Sequence, residues 1–209
     1  MIIPHYGCYG NLQNCISSII GYTEGAEIIV VDNDELPSNF QEAFPSVKLV
    51  RVGRNSGFGF ACNLGAKFAR SEVLVFMNND VEVTPNWLGP LMASLLRDSV
   101  AAASPLVVFR DNPNVVNAAG GDCDFLGLNW RRGIGRSRNV KIENTFFWAP
   151  VECIAIRRNV FRKIGGFDES MFLLSEDVDL SWRMRMAGWN LTLVPQSVAG
   201  LPQLTKVGT

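Results

Sequence analysis

The residues best placed to do chemistry are Asn78, Asn79 and Asp80. They come directly after Val73-Leu74-Val75-Phe76-Met77, an apolar run that reads as a buried strand. Such a strand delivers its last polar residues to one edge of a sheet, and open α/β sheets bind ligands outside the carboxyl ends of their strands. Asn and Asp supply hard oxygen ligands, which suit Mg²⁺ or Mn²⁺. A cation there could hold a diphosphate, which points to a nucleotide-using transferase.

Asp32 ends a second apolar run, Ile28-Ile29-Val30-Val31. Two acids at the carboxyl edge of neighbouring parallel strands would share one cleft, where a carboxylate can accept hydrogen bonds from a ribose or a base N–H. Turn and helix-cap duty is the competing reading for both. His5, the single histidine, closes the short opening strand Ile2-Ile3-Pro4, where either a structural role or a ligand contact fits. Arg54-Asn55-Ser56-Gly57-Phe58-Gly59 precedes a helix and could cradle phosphate at its N-terminus. It lacks the Lys and Ser/Thr of a P-loop, and by spacing alone a plain loop fits better. Asn63 and Lys67 lie one turn apart on the next helix, with Lys67 read as solvated.

Ser175-Glu176-Asp177-Val178-Asp179 places three acids at a helix start, where negative charge offsets the helix dipole. Asp179 and Arg183 have the i,i+4 spacing of a structural ion pair. Asp177 has no partner in sequence, and an ionised carboxylate there could deprotonate a hydroxyl as a general base. The dipole is expected to keep it ionised at neutral pH. Trp130, Trp148, Trp182 and Trp189 read first as core residues; Trp148, between a long loop and a strand, is the strongest candidate for stacking on a ligand.

These residues need elements to hold them. Leu12, Cys15, Ile16 and Ile19 form the apolar stripe of a helix with Asn11 as its expected cap. Strands are expected at 28–31, 47–52 and 73–77, and helices at 60–70 and, from Thr84-Pro85, to Arg97. The order supports an α/β sheet with right-handed crossovers. Further on, strands are expected at 101–109, 148–156 and 191–194, and helices at 158–164 and 175–187. Residues 110–147 show no clean period and read as a long loop, functional or mobile.

A length of 209 residues is enough for one large domain or two small ones. The net charge of -1 gives no basic footprint for nucleic acid and no polybasic membrane patch. The five cysteines are scattered, without a C-x-x-C pair, and with one His they argue against zinc and for free thiols in a reducing, cytoplasmic setting. Four of them have apolar neighbours and read as core fillers. No apolar run reaches the roughly 20 residues of a membrane span, which leaves peripheral association with the inner face of a membrane open. Both chain ends read as trimmed, as in the core of a longer protein.

Together these blocks resemble the inverting family 2 glycosyltransferases of GT-A fold, particularly the bacterial rhamnosyltransferase-like branch. The matching blocks are Val30-Val31-Asp32-Asn33; Arg54 to Gly59 with Ala61, Asn63 and Gly65; Phe76 to Asp80 with Pro85; and Ile156-Arg157-Arg158 through Gly165-Gly166-Phe167-Asp168-Glu169 to Ser175–Leu180 and Gly188-Trp189. The resemblance implies a Rossmann-like, mostly parallel central sheet flanked by helices, with a smaller acceptor-side region in the C-terminal half. It implies one domain over 1–209, with 1–100 binding nucleotide and 101–209 carrying acceptor and base. Asp32 would contact the donor nucleobase, and Asn78-Asn79-Asp80 stands at the family's D-x-D motif, with Asp80 in its metal-binding position. Pro4, His5, Asn55, Gly57 and Asn63 would complete the nucleotide-sugar site. Asp177 would be the base of the Glu-Asp motif formed with Glu176, and Trp148 and Glu152 would face acceptor and sugar. The implied partners are a nucleoside-diphosphate sugar, dTDP-rhamnose before UDP- or GDP-sugars, a glycan or lipid-linked glycan acceptor, and Mg²⁺ or Mn²⁺. The sequence departs from the family in three places. The first two D-x-D positions are Asn, no His lies in 196–201, and Pro150-Val151-Glu152-Cys153 replaces a small Gly-Ala step. A non-catalytic nucleotide-sugar-binding domain and a sugar nucleotidyltransferase are the alternative readings.

Overall fold

The computed structural model describes residues 1–202. The parallel half of the molecule is built on the apolar runs. Strands β1 (Ile2–His5), β2 (Ile29–Asp32), β3 (Lys48–Arg51) and β4 (Val73–Met77) lie in the order β3-β2-β1-β4, all parallel. Their residues alternate between two cores. Ile2, Ile29, Leu74 and Phe76 face one, and Ile3, Val30, Val75 and Met77 the other, so both faces are buried and the runs lack polar alternation. Helix α1 (Tyr9–Tyr22) covers the second face with Leu12, Cys15, Ile16 and Ile19, the stripe expected. Its cap position is Cys8 rather than Asn11. A short helix, α2 (Phe40–Ala43), interrupts the crossover to β3.

Helix α3 (Phe58–Phe68) covers the opposite face and starts two residues before the expected Phe60. Gly65 lets it sit close: a Cβ there would lie 2.5 Å from Ile2 Cγ2 and 3.1 Å from Val31 Cγ2. After β4 the expected helix from Thr84 is delayed. The Thr84 hydroxyl donates to the Val198 carbonyl at 2.9 Å instead of capping, and Asn86 is left-handed at φ 61°. Residues Glu82–Val83 therefore form a small strand, β5, and α4 spans only Leu88–Ser94.

The second half completes the sheet with mixed pairing. Strands β6 (Val100–Phe109), β7 (Asn112–Ala118), β10 (Cys153–Arg157) and β11 (Asn190–Leu201) extend it to β3-β2-β1-β4-β10-β6-β11-β5, with β7 on β6. β10 runs antiparallel to both β4 and β6. It starts at Cys153 rather than Trp148, and β11 runs well past Val194. The expected loop 110–147 holds β7 and a two-stranded hairpin, β8 (Gly121–Cys123) with β9 (Asn129–Arg131). β7 has little strand propensity of its own and forms because β6 offers it an edge. Helices α5 (Arg158–Lys163) and α6 (Glu176–Met186) pack on the α3 side, burying Phe161, Leu180 and Met184. Cys15, Cys62 and Cys153 are buried thiols, whereas Cys123 is half-buried and Cys8 exposed, so three rather than four fill the core.

Gly65→Val should lower unfolding stability by about 1–3 kcal/mol in a denaturant titration, because the added carbons meet the close-packed β1–β2 surface.

Candidate active site

The reversal of β10 assembles the site. β10 pairs with β4 in register from Cys153↔Met77 to Arg157↔Val73, so the start of β10 meets the carboxyl end of β4. One residue further, the Asn78 amide donates to the Glu152 carbonyl at 3.1 Å. Glu152 thus stands beside the turn that carries Asp80. Its carboxylate is buried at 5% exposure and its pKa is raised by that burial, with Arg131 pulling it down and the charges of Asp177 and Asp80 pushing it up. Glu152 thus feels the charges of two other acids, with Arg131 of β9 ion-paired to it and acting on Asp177, while Arg110 acts on Asp80.

Asp177 is held by the registration of α6. The Ala149 amide donates to Ser181 Oγ at 3.0 Å, Arg183 Nη1 to the Ile164 carbonyl at 2.7 Å, and Arg185 Nε to the Phe147 carbonyl at 2.8 Å. The expected Asp179–Arg183 pair forms, 2.9 Å from Nε. Leu174 and Ser175 enter the helix left-handed, at φ 77° and 67°. Strain at non-glycine residues beside a candidate base needs surrounding contacts to hold it. Asp177 Oδ1 accepts the Val178 amide at 2.8 Å. Burial nonetheless raises the Asp177 carboxyl above the usual aspartate range, against the opposing pull of the Val178 and Val151 amides and Arg131. Desolvation, the largest influence on this carboxyl, works against the helix dipole that is expected to keep it ionised. Glu176 is buried too, raised by burial and by Asp177, and its Oε2 has no hydrogen-bond partner among the described residues.

Asn79 is committed to the scaffold. Its Nδ2 lies 3.0 Å from His5 Nδ1 and 3.1 Å from the Tyr6 carbonyl. An amide N–H₂ can only donate, so His5 Nδ1 accepts and the ring is neutral in that arrangement. Burial lowers the His5 pKa in the same direction, with Asp32 and Asp34 opposing it. His5, at 1% exposure, is thus a buried acceptor for Asn79. An acid at position 79 would set an oxygen against the Tyr6 carbonyl and would require His5 to carry a proton on Nδ1.

Several other candidates are scaffold as well. Asn63 spends its amide on one turn: Nδ2 donates to the Phe167 carbonyl and to Glu169 Oε1, and Oδ1 accepts the Phe167 amide, each at 2.9 Å. It pins Gly165–Glu169 to α3 and offers nothing further to a nucleotide. Two amides of the expected phosphate cradle, those of Gly57 and Phe58, are used within the chain. The Gly57 amide donates to Asn55 Oδ1 at 3.1 Å and the Phe58 amide to the Phe172 carbonyl at 3.2 Å. Gly57 must be glycine, since its φ is 84° and a Cβ would meet that carbonyl at 2.5 Å. The Asp32 carboxylate, 1% exposed, accepts the Asp34 and Leu36 amides at 3.2 Å and Arg51 Nη1 at 3.1 Å, and so organises the turn after β2. Pro4 is buried in β1 and has no N–H; the pairing of β1 with β4 is confined to Ile2↔Phe76, and the strands are free to part toward the site.

Trp148 is not a stacking platform. Its ring packs on Gly121, where any Cβ would collide with it, and its Nε1 donates to the Asp122 carbonyl at 3.1 Å. Trp130 and Trp182 are the half-exposed indoles. Arg131 and the stretch of chain that carries Phe172 across Gly57 gave no sequence signal: Arg131 sits in the aperiodic segment, and the Phe172 contact is made by a backbone carbonyl.

The donor set can be tested for a cation. Asp80 Oδ1 and Glu152 Oε2 are buried without hydrogen-bond partners among the described residues, and burial raises both carboxyls. No group of three acidic, His or Cys ligands gathers among the described residues. Mg²⁺ commonly binds one or two carboxylates together with substrate phosphates, which fits an orphaned Asp80 oxygen better than a closed protein cage would.

Comparison with known proteins agrees with this architecture. The fold is that of GT-A glycosyltransferases: it matches the crystal structure of GalNAc-T7 "with UDP, GalNAc and Mn2+" with TM-score 0.79 and 22% identity, over 98% of this chain and 44% of that one. The glycosyl transferase family 2 profile matches residues 1–165, and the chain belongs to that family. It is 28% identical, over 90% of its length and 70% of the relative's, to N-acetylglucosaminyl-diphospho-decaprenol L-rhamnosyltransferase of Mycobacterium tuberculosis. It is 30% identical to the O-antigen biosynthesis protein RfbC of Myxococcus xanthus, over 94% of its length but only 16% of that protein. The chain thus spans less than half the length of two of these three proteins. No helix among the described residues is long and apolar enough to cross a membrane.

Asn79→Asp should cost about 1–3 kcal/mol of stability at neutral pH, the penalty for losing the donors to buried His5 and to the Tyr6 carbonyl. The new carboxyl would have a raised folded-state pKa, so the deficit should shrink as pH falls through it. Urea titrations at two pH values would check both the cost and its sign.

Proposed function

We propose that this chain is the catalytic domain of an inverting glycosyltransferase. It moves a sugar from a nucleoside-diphosphate sugar, dTDP-rhamnose before UDP- or GDP-sugars, to a hydroxyl of a glycan or lipid-linked glycan. The observation that carries this reading is Glu152, which the backbone bond from Asn78 holds beside the turn of Asp80 and which pairs with Arg131 while feeling the charges of both Asp80 and Asp177. The preference for rhamnose and a lipid-linked acceptor draws on the name of the mycobacterial relative. Residues 1–100 form the donor half and 101–209 the acceptor half, of which 203–209 lie outside the described residues.

In this reading Asp177 takes the proton of the acceptor hydroxyl. The hydroxyl oxygen forms a bond to the anomeric carbon from the face opposite the leaving group. The bond from that carbon to the diphosphate oxygen breaks, its electron pair leaves with the nucleoside diphosphate, and the anomeric configuration inverts. A raised carboxyl pKa suits a base, since proton affinity nearer the working pH favours the transfer. A Mg²⁺ or Mn²⁺ ion on Asp80 would supply positive charge against the leaving diphosphate. Glu152 and Arg131 shape the sugar side, and Glu176 supports the base. His5, Asn78, Asn79 and Asn63 hold the donor edge in place. The domain works on the cytoplasmic side, where nucleotide sugars are the donors.

Asp177→Asn should lower kcat by roughly 10²–10⁴-fold while nucleoside-diphosphate affinity stays within about twofold. Turnover that survives this substitution with a proven donor would remove Asp177 as the base. In the unsubstituted chain, kcat/KM should fall as pH drops through an apparent pKa above the usual aspartate value of about 3.9, because protonation removes the base.

A further inference from the structure

The β8–β9 hairpin exposes apolar side chains that nothing among the described residues covers. Phe125, Leu126 and Leu128 in its turn are 96%, 71% and 64% exposed. The turn itself is well formed: the Asp124 carboxylate accepts the Leu126 and Leu128 amides at 2.9 Å, and the Asp124 amide donates to the Leu128 carbonyl at 2.9 Å. Asp124 is thereby tied to the backbone, and the three large side chains are left outside. Scattered exposed hydrophobes need no explanation, but a contiguous group at a projecting tip does.

Charge is ordered behind the tip. Trp130 comes next on β9, and between Phe125 and Ile142 the chain has five cations and no acid: Arg131, Arg132, Arg136, Arg138 and Lys141. Arg131 and Arg132 are paired with Glu152 and Asp122. Arg136, Arg138 and Lys141 have no ion-pair partner among the described residues. A cleft of about 400 Å³ lined by Trp130, Arg132, Arg136 and Lys141 opens beside the strand. The net charge of -1 hides this segment, so the expectation of no polybasic patch is corrected locally.

We propose that this hairpin seats the protein on an anionic lipid bilayer. Aliphatic and Phe side chains enter the acyl boundary, Trp130 lies at the interface, and the cations meet headgroup phosphates. At ~3.3 Å per strand residue, Arg131 stands about 10 Å from Leu128, which matches the depth of such insertion. Nucleic acid fits the cations but not the aliphatic tip, and a protein partner would not call for this ordering of apolar, indole and cationic groups by depth. Because Arg131 pairs with Glu152, the seated hairpin would hold the acceptor side near the headgroup plane; that last consequence rests on the proposed function, whereas bilayer binding does not.

Vesicle co-sedimentation without any sugar donor separates the two. The 209-residue chain should bind vesicles of phosphatidylcholine with about 30% phosphatidylglycerol, bind phosphatidylcholine vesicles at least roughly tenfold more weakly, and lose binding as salt rises. Phe125→Ser/Leu126→Ser/Leu128→Ser should reduce anionic-vesicle binding by about tenfold or more, and Arg136→Glu/Lys141→Glu should do the same. Both variants should keep the melting temperature of the parent, since neither change removes a buried contact. No binding by the parent chain, or unchanged binding by the folded triple variant, would overturn the proposal. So would a dimer, seen by light scattering, that the triple variant abolishes, because a second copy would then be the occupant.

Discussion

The site depends on the reversal of one strand. β10 enters the sheet antiparallel to β4, in register from Cys153↔Met77 onward, and the chain just before it therefore arrives where β4 ends. Had β10 run parallel, Glu152 would lie at the far edge of the sheet from Asp80. The reversal also constrains the next two helices: α5 leaves from the opposite edge, and α6 must return to carry Asp177 back. Ser181, Arg183 and Arg185 fix that return through contacts with residues 147, 149 and 164. Backbone pairing thus brings together three like-charged groups that would not otherwise approach, and Arg131 offsets part of the cost.

The polar residues around this centre divide by hydrogen-bond capacity. Asn63, Asn55, Asn79 and Asp32 are bonded within the chain, and each fixes a turn or loop at the carboxyl edge. Asp80 Oδ1, Glu152 Oε2 and Glu176 Oε2 lack partners among the described residues. Buried polar atoms without partners are costly, and these three carboxylate oxygens belong to acids of the candidate site. This division also accounts for Asn79: its donors are used by His5 and Tyr6, and a carboxylate would leave the Tyr6 carbonyl unserved and force the His5 proton onto Nδ1.

The parallel half was legible because its strands are buried on both faces and read as unbroken apolar runs, and α1 because its stripe has helical period. The second half was not, for identifiable reasons. β7 forms on the edge of β6 without propensity of its own, and Thr84 gives its hydroxyl to β11, which delays α4. Within the site, Asp80 and Asp177 could be named from sequence by where they fall on their elements. Their association with Glu152 and Arg131 required the pairing of β10. Trp148 misled because position in sequence does not reveal that Gly121 lies against its ring. Trp130 and the cations of its hairpin were hidden by a balanced net charge.

The central claim is that Asp80 and the Asn78–Asn79 turn form the donor-diphosphate edge of this sheet. The most direct measurement is the thermal shift of the chain with dTDP, UDP and GDP, each with and without Mn²⁺, set against Asp80→Asn. A ligand bound only by the native state raises its melting temperature by mass action. At least one nucleotide should raise it in the presence of Mn²⁺, and the rise should be lost in Asp80→Asn, whose folding is otherwise unchanged. A Mn²⁺-dependent rise of equal size in Asp80→Asn would contradict the claim, as would no rise with any of the three.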